Sequence, residues 1–313
     1  MDSIGEMRYN AATSLGIRFF ALPSSSHVRM RPQVMKRIGL LHHPKLPATQ
    51  PMAEVMAQEA RARGLEVWIG STWDVQAVAA QIQDLNLLVT LGGDGSILRA
   101  ARMASPHGVV VLGVKMGRLG FLAELDPEEW GEALPRLVAG DYWIEERMML
   151  HAKYYRGEDC RAYEALNDVV ISRGTIARIV RLETYLDGSF LTTYAADGLI
   201  ISTATGSTAY ALAAGGPILP PELDNLLIIP IAPHLSMNRA IVLGKDDVVG
   251  VEVHTDHQAI LTVDGQFEYE LQDGDWVTVQ ASAYPGRFVR LQDRTYFYRT
   301  LMDRLGYKQA VHP

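Results

Sequence analysis

The chain has 313 residues, 48% hydrophobic and 21% charged, the composition of a globular protein with one large domain or two ordinary ones. A formal net charge of -7 excludes the long-range basic field that nucleic-acid binding draws on, and no apolar run is long enough to cross a bilayer. Cys160 is the single cysteine, which rules out a disulfide framework and points to a reducing cytoplasm.

Residues 1–34 lack hydrophobic periodicity and read as a disordered extension, or as sequence upstream of a start at Met35. The stretch 18–32 is Arg- and Ser-bearing like a targeting peptide, but Asp2 and Glu6 count against that reading. From Lys36, strands and helices alternate. KRIGLLHH (36–43) predicts a first strand. TQPMAEVMAQEARARG (49–64) predicts a helix with Pro51 in its first turn, Met52, Val55, Met56 and Ala60 on one face, and Gly64 at its stop. LEVWIG, NLLVTL and GVVVLGV are further strands, separated by helices VQAVAAQIQ and SILRAARMA; DPEEWGEALPRLVAG (126–140) is a helix kinked at Pro135. This alternation predicts an α/β domain over 35–140 with a parallel, doubly wound sheet, its ligands beyond the carboxyl ends of the strands.

After residue 140 the texture changes to short, alternating, β-branched or aromatic runs, among them MMLHAKYY, IVRLETYLDG, DVVGVEVHT and WVTVQAS. Turn pairs such as Asp187-Gly188 and Asp273-Gly274 separate them, which predicts a β-rich domain over 141–293. The last stretch, 294–313, has helical spacing and is expected to pack back on the first domain.

Two glycine-rich segments carry the chemistry. LGGDGSIL (91–98) lacks the G-K-[ST] ending of a P-loop, and neither it nor GVKMGRLG (113–120) has G-x-G-x-x-G spacing. It is either a tight turn capped by Asp94 or Ser96, or a turn whose carboxylate takes a proton from an attacking hydroxyl or holds Mg²⁺ against phosphates. The second segment, TATGSTAYALAAGGPILPPEL (203–223), interrupts the β region. Thr205 or Ser207 is expected to cap a helix beginning near Ala209, leaving its N–H groups for an anion or a polar ligand edge. The small side chains admit a flat ring, on which Tyr210 would stack. In YEALNDVVISR, Asn167 and Asp168 interrupt a strand pattern, either as edge positions or as partners for sugar hydroxyls. Arg118 is the candidate for a phosphate contact, against plain solvent exposure. His42, His43, His254 and His257 lack zinc-ligand spacing with cysteine or carboxylate.

The stretches GGDGSIL (92–98), MGRLGFLAEL (116–125), ALNDVVISRG (165–174), ADGLIISTATGSTAYALAAGGPI (196–218), IIPIAPHLSMNRAIVL (228–243) and VDGQ (263–266) jointly resemble the NAD kinase family. GGDG alone is shared with a wider superfamily that includes diacylglycerol-type lipid kinases and phosphofructokinases. The resemblance implies an α/β N-terminal and a β-rich C-terminal domain, in a homodimer or homotetramer with its site between domains and subunits. It implies ATP-dependent phosphorylation of the adenosine ribose 2′-hydroxyl of NAD to give NADP, assisted by Mg²⁺ or another divalent ion. Asp94 matches the proton acceptor. Contacts to NAD are implied for Asp94, Gly95, Phe121, Asn167, Asp168, Arg178, Ala195, Asp197 and Gln266. They are also implied for Thr205 and for the wrapping segment Thr208, Ala209, Tyr210, Ala211, Leu212 and Ala213. Gly92, Gly93, Gly95 and Ser96 are expected beside the phosphates of ATP. Three positions depart from the family: Asp168 stands for the usual Glu, Ser96 for Thr, and Ala195 for a frequent Arg or Lys. The alternatives are a lipid or sugar kinase of the superfamily, disfavoured by the 203–217 segment, and a dinucleotide-binding protein without turnover, disfavoured by Asp94.

Overall fold

The computed structural model describes residues 35–117, 120–174, 178–234 and 237–305. The expectations for residues 1–34 and for Arg118 lie outside these residues, as does the chain beyond 305. The first part alternates β1 (Arg37–His42), α1 (Thr49–Ala62), β2 (Glu66–Ser71), α2 (Val75–Gln81), β3 (Leu87–Gly92), α3 (Asp94–Ala104), β4 (Val110–Lys115) and α4 (Trp130–Ala139). Strands then dominate: β5 (Trp143–Arg147), β6 (Leu150–Arg156), β7 (Asp159–Ala165), β8 (Asp168–Arg173), β9 (Val180–Leu186), β10 (Ser189–Ala196) and β11 (Gly198–Thr203). After α5 (Tyr210–Ala213) come β12 (Asn225–Ile231), β13 (Ile241–Gly244), β14 (Val249–His254), β15 (Ala259–Val263), β16 (Phe267–Leu271), β17 (Trp276–Ala281), β18 (Gly286–Arg290) and α6 (Tyr296–Arg304).

The first sheet has the order β2-β1-β3-β4-β18-β5. β1 to β4 are parallel, β18 continues parallel to β4, and β5 closes the edge antiparallel to β18. Leu40, Val89 and Leu112 point into one core with α1 and α4; Leu41, Leu88 and Val111 point into another with α2 and α3. Burial on both faces is why these strands read as unbroken apolar runs, and it makes the sheet doubly wound. α1 buries Ala53, Met56, Ala57 and Ala60, whereas Val55 is 52% exposed. The expected stripe through Val55 is therefore corrected: the alanines, at i, i+4 and i+7, let the helix lie close on the sheet. Pro135 falls inside α4, after a turn of 3-10 helix at Pro127–Glu129 that carries a capping box of Asp126 and Glu129.

The other two sheets, β10-β9-β14-β17-β6-β7 and β13-β12-β11-β8-β15-β16, are antiparallel and share one core. Leu182, Val251 and Val277 face Ile171, Leu199 and Leu261 across it, as alternating strands of a sandwich do. The outer face of the third sheet is covered by the small-residue segment, with Ala211 and Leu219 on Val170, Ile200 and Ile229. Met149, Leu166 and Phe288 join α3 in the core behind the first sheet, which seats the glycine turn against the β-rich half. The Tyr296 hydroxyl of α6 meets Glu145 of β5 at 3.1 Å and receives a hydrogen bond from Arg147 at 2.9 Å.

Candidate active site

β3 ends at Gly92, where the Ser96 side chain leaves no space for a Cβ. α3 begins at Asp94 with Gly93 as its N-cap and no side-chain cap. Asp94 thus lies in the first turn, where a carboxylate complements the helix dipole. It does not cap its own helix. Its Oδ2 accepts the Phe121 N–H at 2.8 Å and its Oδ1 the Leu122 N–H at 3.2 Å. A Cβ at Gly120 would run into the same carboxylate, so MGRLGF needs glycine there for close approach. The capped-turn reading is corrected accordingly. Ser96 is buried, and its hydroxyl has no hydrogen-bond partner among the described residues. With one N–H on each oxygen, the Asp94 carboxylate is fixed in direction and keeps lone pairs for a proton or a cation.

The other side of α3 is tied to the hairpin between β15 and β16. Three residues, Asp264 to Gln266, join the strands; Asp264 and Gly265 have φ of 51° and 61°, both left-handed, and the Gln266 N–H closes the turn onto the Val263 carbonyl at 2.9 Å. The buried Asp264 carboxylate accepts the N–H groups of Leu166, Asn167 and Asp168 and pairs with Arg102 of α3 at 2.8 Å. Gln266 donates to the Gly95 carbonyl at 2.7 Å and accepts from Arg102. Asn167 and Gly95 are therefore held by one knot. Asp168 follows, buried, with its carboxyl pushed up to about 7 by desolvation and by the neighbouring Asp264 charge.

The small-residue segment docks on that knot. The Thr203 hydroxyl donates to the Leu166 carbonyl at 2.6 Å and accepts from Gly206 at 3.0 Å. Thr203 N–H and the Ser202 hydroxyl both donate to the Asn167 carbonyl, and a Cβ at Gly206 would strike it. A 3-10 turn at Thr205–Thr208 leads into α5, whose N-cap is Ala209. The expected cap by Thr205 or Ser207 is corrected. The Ser207 hydroxyl is engaged by Leu219, receiving its N–H at 2.9 Å, and the buried Thr205 hydroxyl has no partner among the described residues. A four-residue helix has little dipole to offer an anion, so the free N–H argument loses its force. Tyr210 stands 46% exposed at the head of α5, available for stacking.

Family models for the ATP-NAD kinase N-terminal and C-terminal domains match residues 21–142 and 166–291. The chain is 38% identical over 280 residues to the NAD kinase of Dehalococcoides mccartyi, covering 88% of this chain and 99% of the relative. It is 41% identical over 273 residues to that of Chloroflexus aggregans, covering 87% and 99%. The chain belongs to the ATP-NAD kinase family. Among solved structures, the yeast NADH kinase complexed with NADH superposes with a TM-score of 0.79 at 24% identity, covering 90% of each chain. The Archaeoglobus fulgidus NAD kinase in complex with ATP gives 0.70 at 24%, covering 87% of this chain and 99% of that one. At this identity the two speak to the fold alone.

An ATP-dependent kinase of the ATP-NAD kinase family must bring the phosphate chain of ATP to a hydroxyl of NAD. Gly92 to Ser96, Phe121, Asn167, Asp168 and Gln266 belong to one network of contacts with Asp94 or the Asp264 knot, and the segment that carries Thr205 and the 208–213 turn docks on it through Ser202, Thr203 and Gly206. Three other expected residues do not. Asp197 lies beside Arg173, to which it is paired at 2.9 Å, while Asp168 opens β8 at the other end. Five residue steps separate those ends, roughly 17 Å. Ala195 is on that far side, its carbonyl accepting the His234 N–H at 2.7 Å. Arg178 is exposed and meets Asp256 at 3.4 Å.

At this corner, among the described residues, Asp94 is the carboxylate open to a divalent ion: four donors occupy Asp264, and Asp168 is buried with a raised affinity for its proton. That fits Mg²⁺ carried mainly by phosphate oxygens, which needs one or two protein carboxylates and not a cage. Away from the site, His254 faces Glu183 at 3.7 Å and Glu252 at 3.9 Å on the outer face of the second sheet. Arg102 and Asp264 are the residues that sequence reading missed. VDGQ entered only as part of the family resemblance, and nothing in the sequence paired Asp264 with an arginine 162 positions earlier.

Proposed function

We propose that the protein transfers the γ-phosphoryl group of ATP to the adenosine ribose 2′-hydroxyl of NAD, giving NADP, with Asp94 accepting the hydroxyl proton. The observation that carries this is the Asp94 carboxylate, held by the Phe121 and Leu122 amides at the head of α3 and tied through Gly95 and Gln266 to the Asn167–Asp168 corner. A base pinned by two amides loses no free energy to reorientation as the hydroxyl proton leaves. Asn167 and Asp168 are the partners for the ribose hydroxyls, and Tyr210 with the small residues after it is the surface for a flat ring. Mg²⁺ bound to the nucleotide supplies neutralisation of the charge that develops on the transferred phosphoryl group. In this reading 35–140 presents the phosphoryl donor and 141–293 holds NAD, in a homo-oligomer. The single cysteine favours the reducing cytoplasm as its setting.

Incubating the purified protein with ATP, Mg²⁺ and NAD should yield NADP. Asp94→Asn keeps an oxygen for one of the two backbone N–H groups, turns an NH2 toward the other and removes the base, so turnover should fall by about two to four orders of magnitude while NAD binding persists. Near-wild-type turnover in that variant would remove Asp94 from the role.

A further inference from the structure

A group of cations gathers around one tryptophan at the carboxyl ends of β1 and β2. The Lys45 ammonium lies 4.6 Å from the Trp73 ring centroid, the Arg99 guanidinium 5.6 Å from it, and the His43 ring meets it edge-on at 5.7 Å. Trp73 is 45% exposed. No carboxylate among the described residues lies within ion-pairing distance of Lys45 or Arg99. Asp74, the nearest in sequence to Trp73, is committed to the Ala77 N–H as the N-cap of α2. Arg102, one turn further along α3, has its own carboxylate in Asp264. The group feels its own repulsion. Burial, then the charges of Arg99, Lys45 and His42, hold the His43 imidazole below its ordinary range; burial and Arg102 lower Arg99.

The place of this group gives it a use. The His43 Cβ is 3.9 Å from where a Gly92 Cβ would be, so the cations border the glycine turn. Arg99 rises from α3 five residues after Asp94, about 7.5 Å along the axis. The Lys45 N–H donates to His43 Nδ1 at 3.1 Å, which leaves the neutral ring with its N–H on Nε2, free to donate. Unpaired positive charge concentrated at one spot of a chain with net charge -7 suits a polyanion and little else. We propose that Lys45, Arg99 and His43, steadied on the Trp73 ring, seat the polyphosphate chain of the phosphoryl donor. This rests on reading Asp94 as the base of a kinase site. Trp73 acts as a support for cations, since both Lys45 and Arg99 lie over its ring. Recognition at this seat is accordingly of phosphates, whether they belong to a nucleoside triphosphate or to inorganic polyphosphate.

Arg99→Ala and Lys45→Ala should each raise the KM for ATP about tenfold, the effect of one lost charged hydrogen bond, and leave the KM for NAD unchanged. Trp73→Ala should do the same, while Trp73→Phe, which keeps a ring for the cations, should recover most of the loss. Calorimetric titration with inorganic tripolyphosphate reads the seat directly: binding to the wild type, and binding weakened at least tenfold in Lys45→Ala/Arg99→Ala. Unchanged tripolyphosphate affinity together with an unchanged KM for ATP in that double variant overturns the proposal. ATP and inorganic polyphosphate are also offered separately as donors. Loss with either one in Arg99→Ala supports the seat and names its source, and loss with neither overturns it. A wild-type protein that forms no NADP defeats the kinase reading, yet the titration still decides whether this seat exists.

Discussion

Asp168 and Asp264 are two carboxylates buried side by side with opposite fates. Asp264 accepts three backbone N–H groups and an arginine, so its charge is compensated where it stands. Asp168 has burial against it and the Asp264 charge beside it, which push its carboxyl from 3.8 to about 7. An acid whose folded pKa is raised binds more protons folded than unfolded between those two values. Its contribution is therefore fully present below about pH 4 and is lost as the pH rises to about 7. Without ligand, unfolding free energy should fall across that window with a slope approaching about 1.4 kcal/mol per pH unit, and Asp168→Asn should flatten it. NAD affinity should move the other way, strengthening as Asp168 ionises and becomes an acceptor for ribose hydroxyls. Denaturant unfolding and NAD titration at pH 5, 6, 7 and 8 read both trends; a wild-type protein with neither would dismiss the shifted carboxyl. Residue types at this corner were legible in the sequence, because paired polar residues in a strand pattern are conspicuous. Their orientation was not. Asp94 reads as a helix cap by local rules, and only the approach of Gly120, 26 residues later, gives its carboxylate two better donors.

Elements follow the same division. β1, β3 and β4 were legible because each is buried on both faces, which makes their middles largely apolar, whereas the edge strand β2 is only half-buried and is read from VWIG alone. β5 and β18 were not, since WIEER and GRFVR look like solvent-facing sequence. Their charges are instead buried against one another. Burial alone would raise the Glu145 carboxyl, but Arg147 and Arg290 hold it down at about 2. Arg290 also donates to the Leu122 carbonyl at 3.1 Å, bracing the peptide that carries one of the Asp94 donors. A pattern reading has no means of knowing that two charged strands will find each other across 140 residues. The clamp between α3 and the β15–β16 hairpin has the same non-local origin and can be tested as a pair. Arg102→Ala leaves the buried Asp264 charge short of its cation, and should cost about 3 kcal/mol of stability. Asp264→Asn removes the charge that Arg102 answers, so the double variant should cost clearly less than the sum of the two. Additive losses in urea unfolding would show that Arg102 and Asp264 act independently, and the clamp would have to be abandoned.

At the scale of the molecule, the two ends of β8 pose a problem that one chain does not solve. Asp94, Asn167 and Asp168 gather at one end, whereas Asp197, Ala195 and Arg178 lie at the other, roughly 17 Å away along the strand. If all six groups serve one dinucleotide, a second copy of the chain can bring its Asp197 end to the Asp94 end of the first, and the symmetry of a dimer makes the exchange mutual. The sequence could suggest shared sites through family resemblance, but the separation along β8 emerges only from strand register. Mixing two disabled variants distinguishes the arrangements. Asp94→Asn lacks the base and Asp197→Ala lacks the far contact, so each alone should be poorly active at low NAD. After unfolding and refolding together, half of the randomly paired dimers are mixed, and each mixed dimer regains one intact site. Activity should then return to about a quarter of the wild-type value. If every site is complete within its own chain, mixing restores nothing. Native mass spectrometry on the same samples separates mixed from parental dimers by their masses, so that an inactive mixture of true mixed oligomers counts against the shared site and not against the refolding.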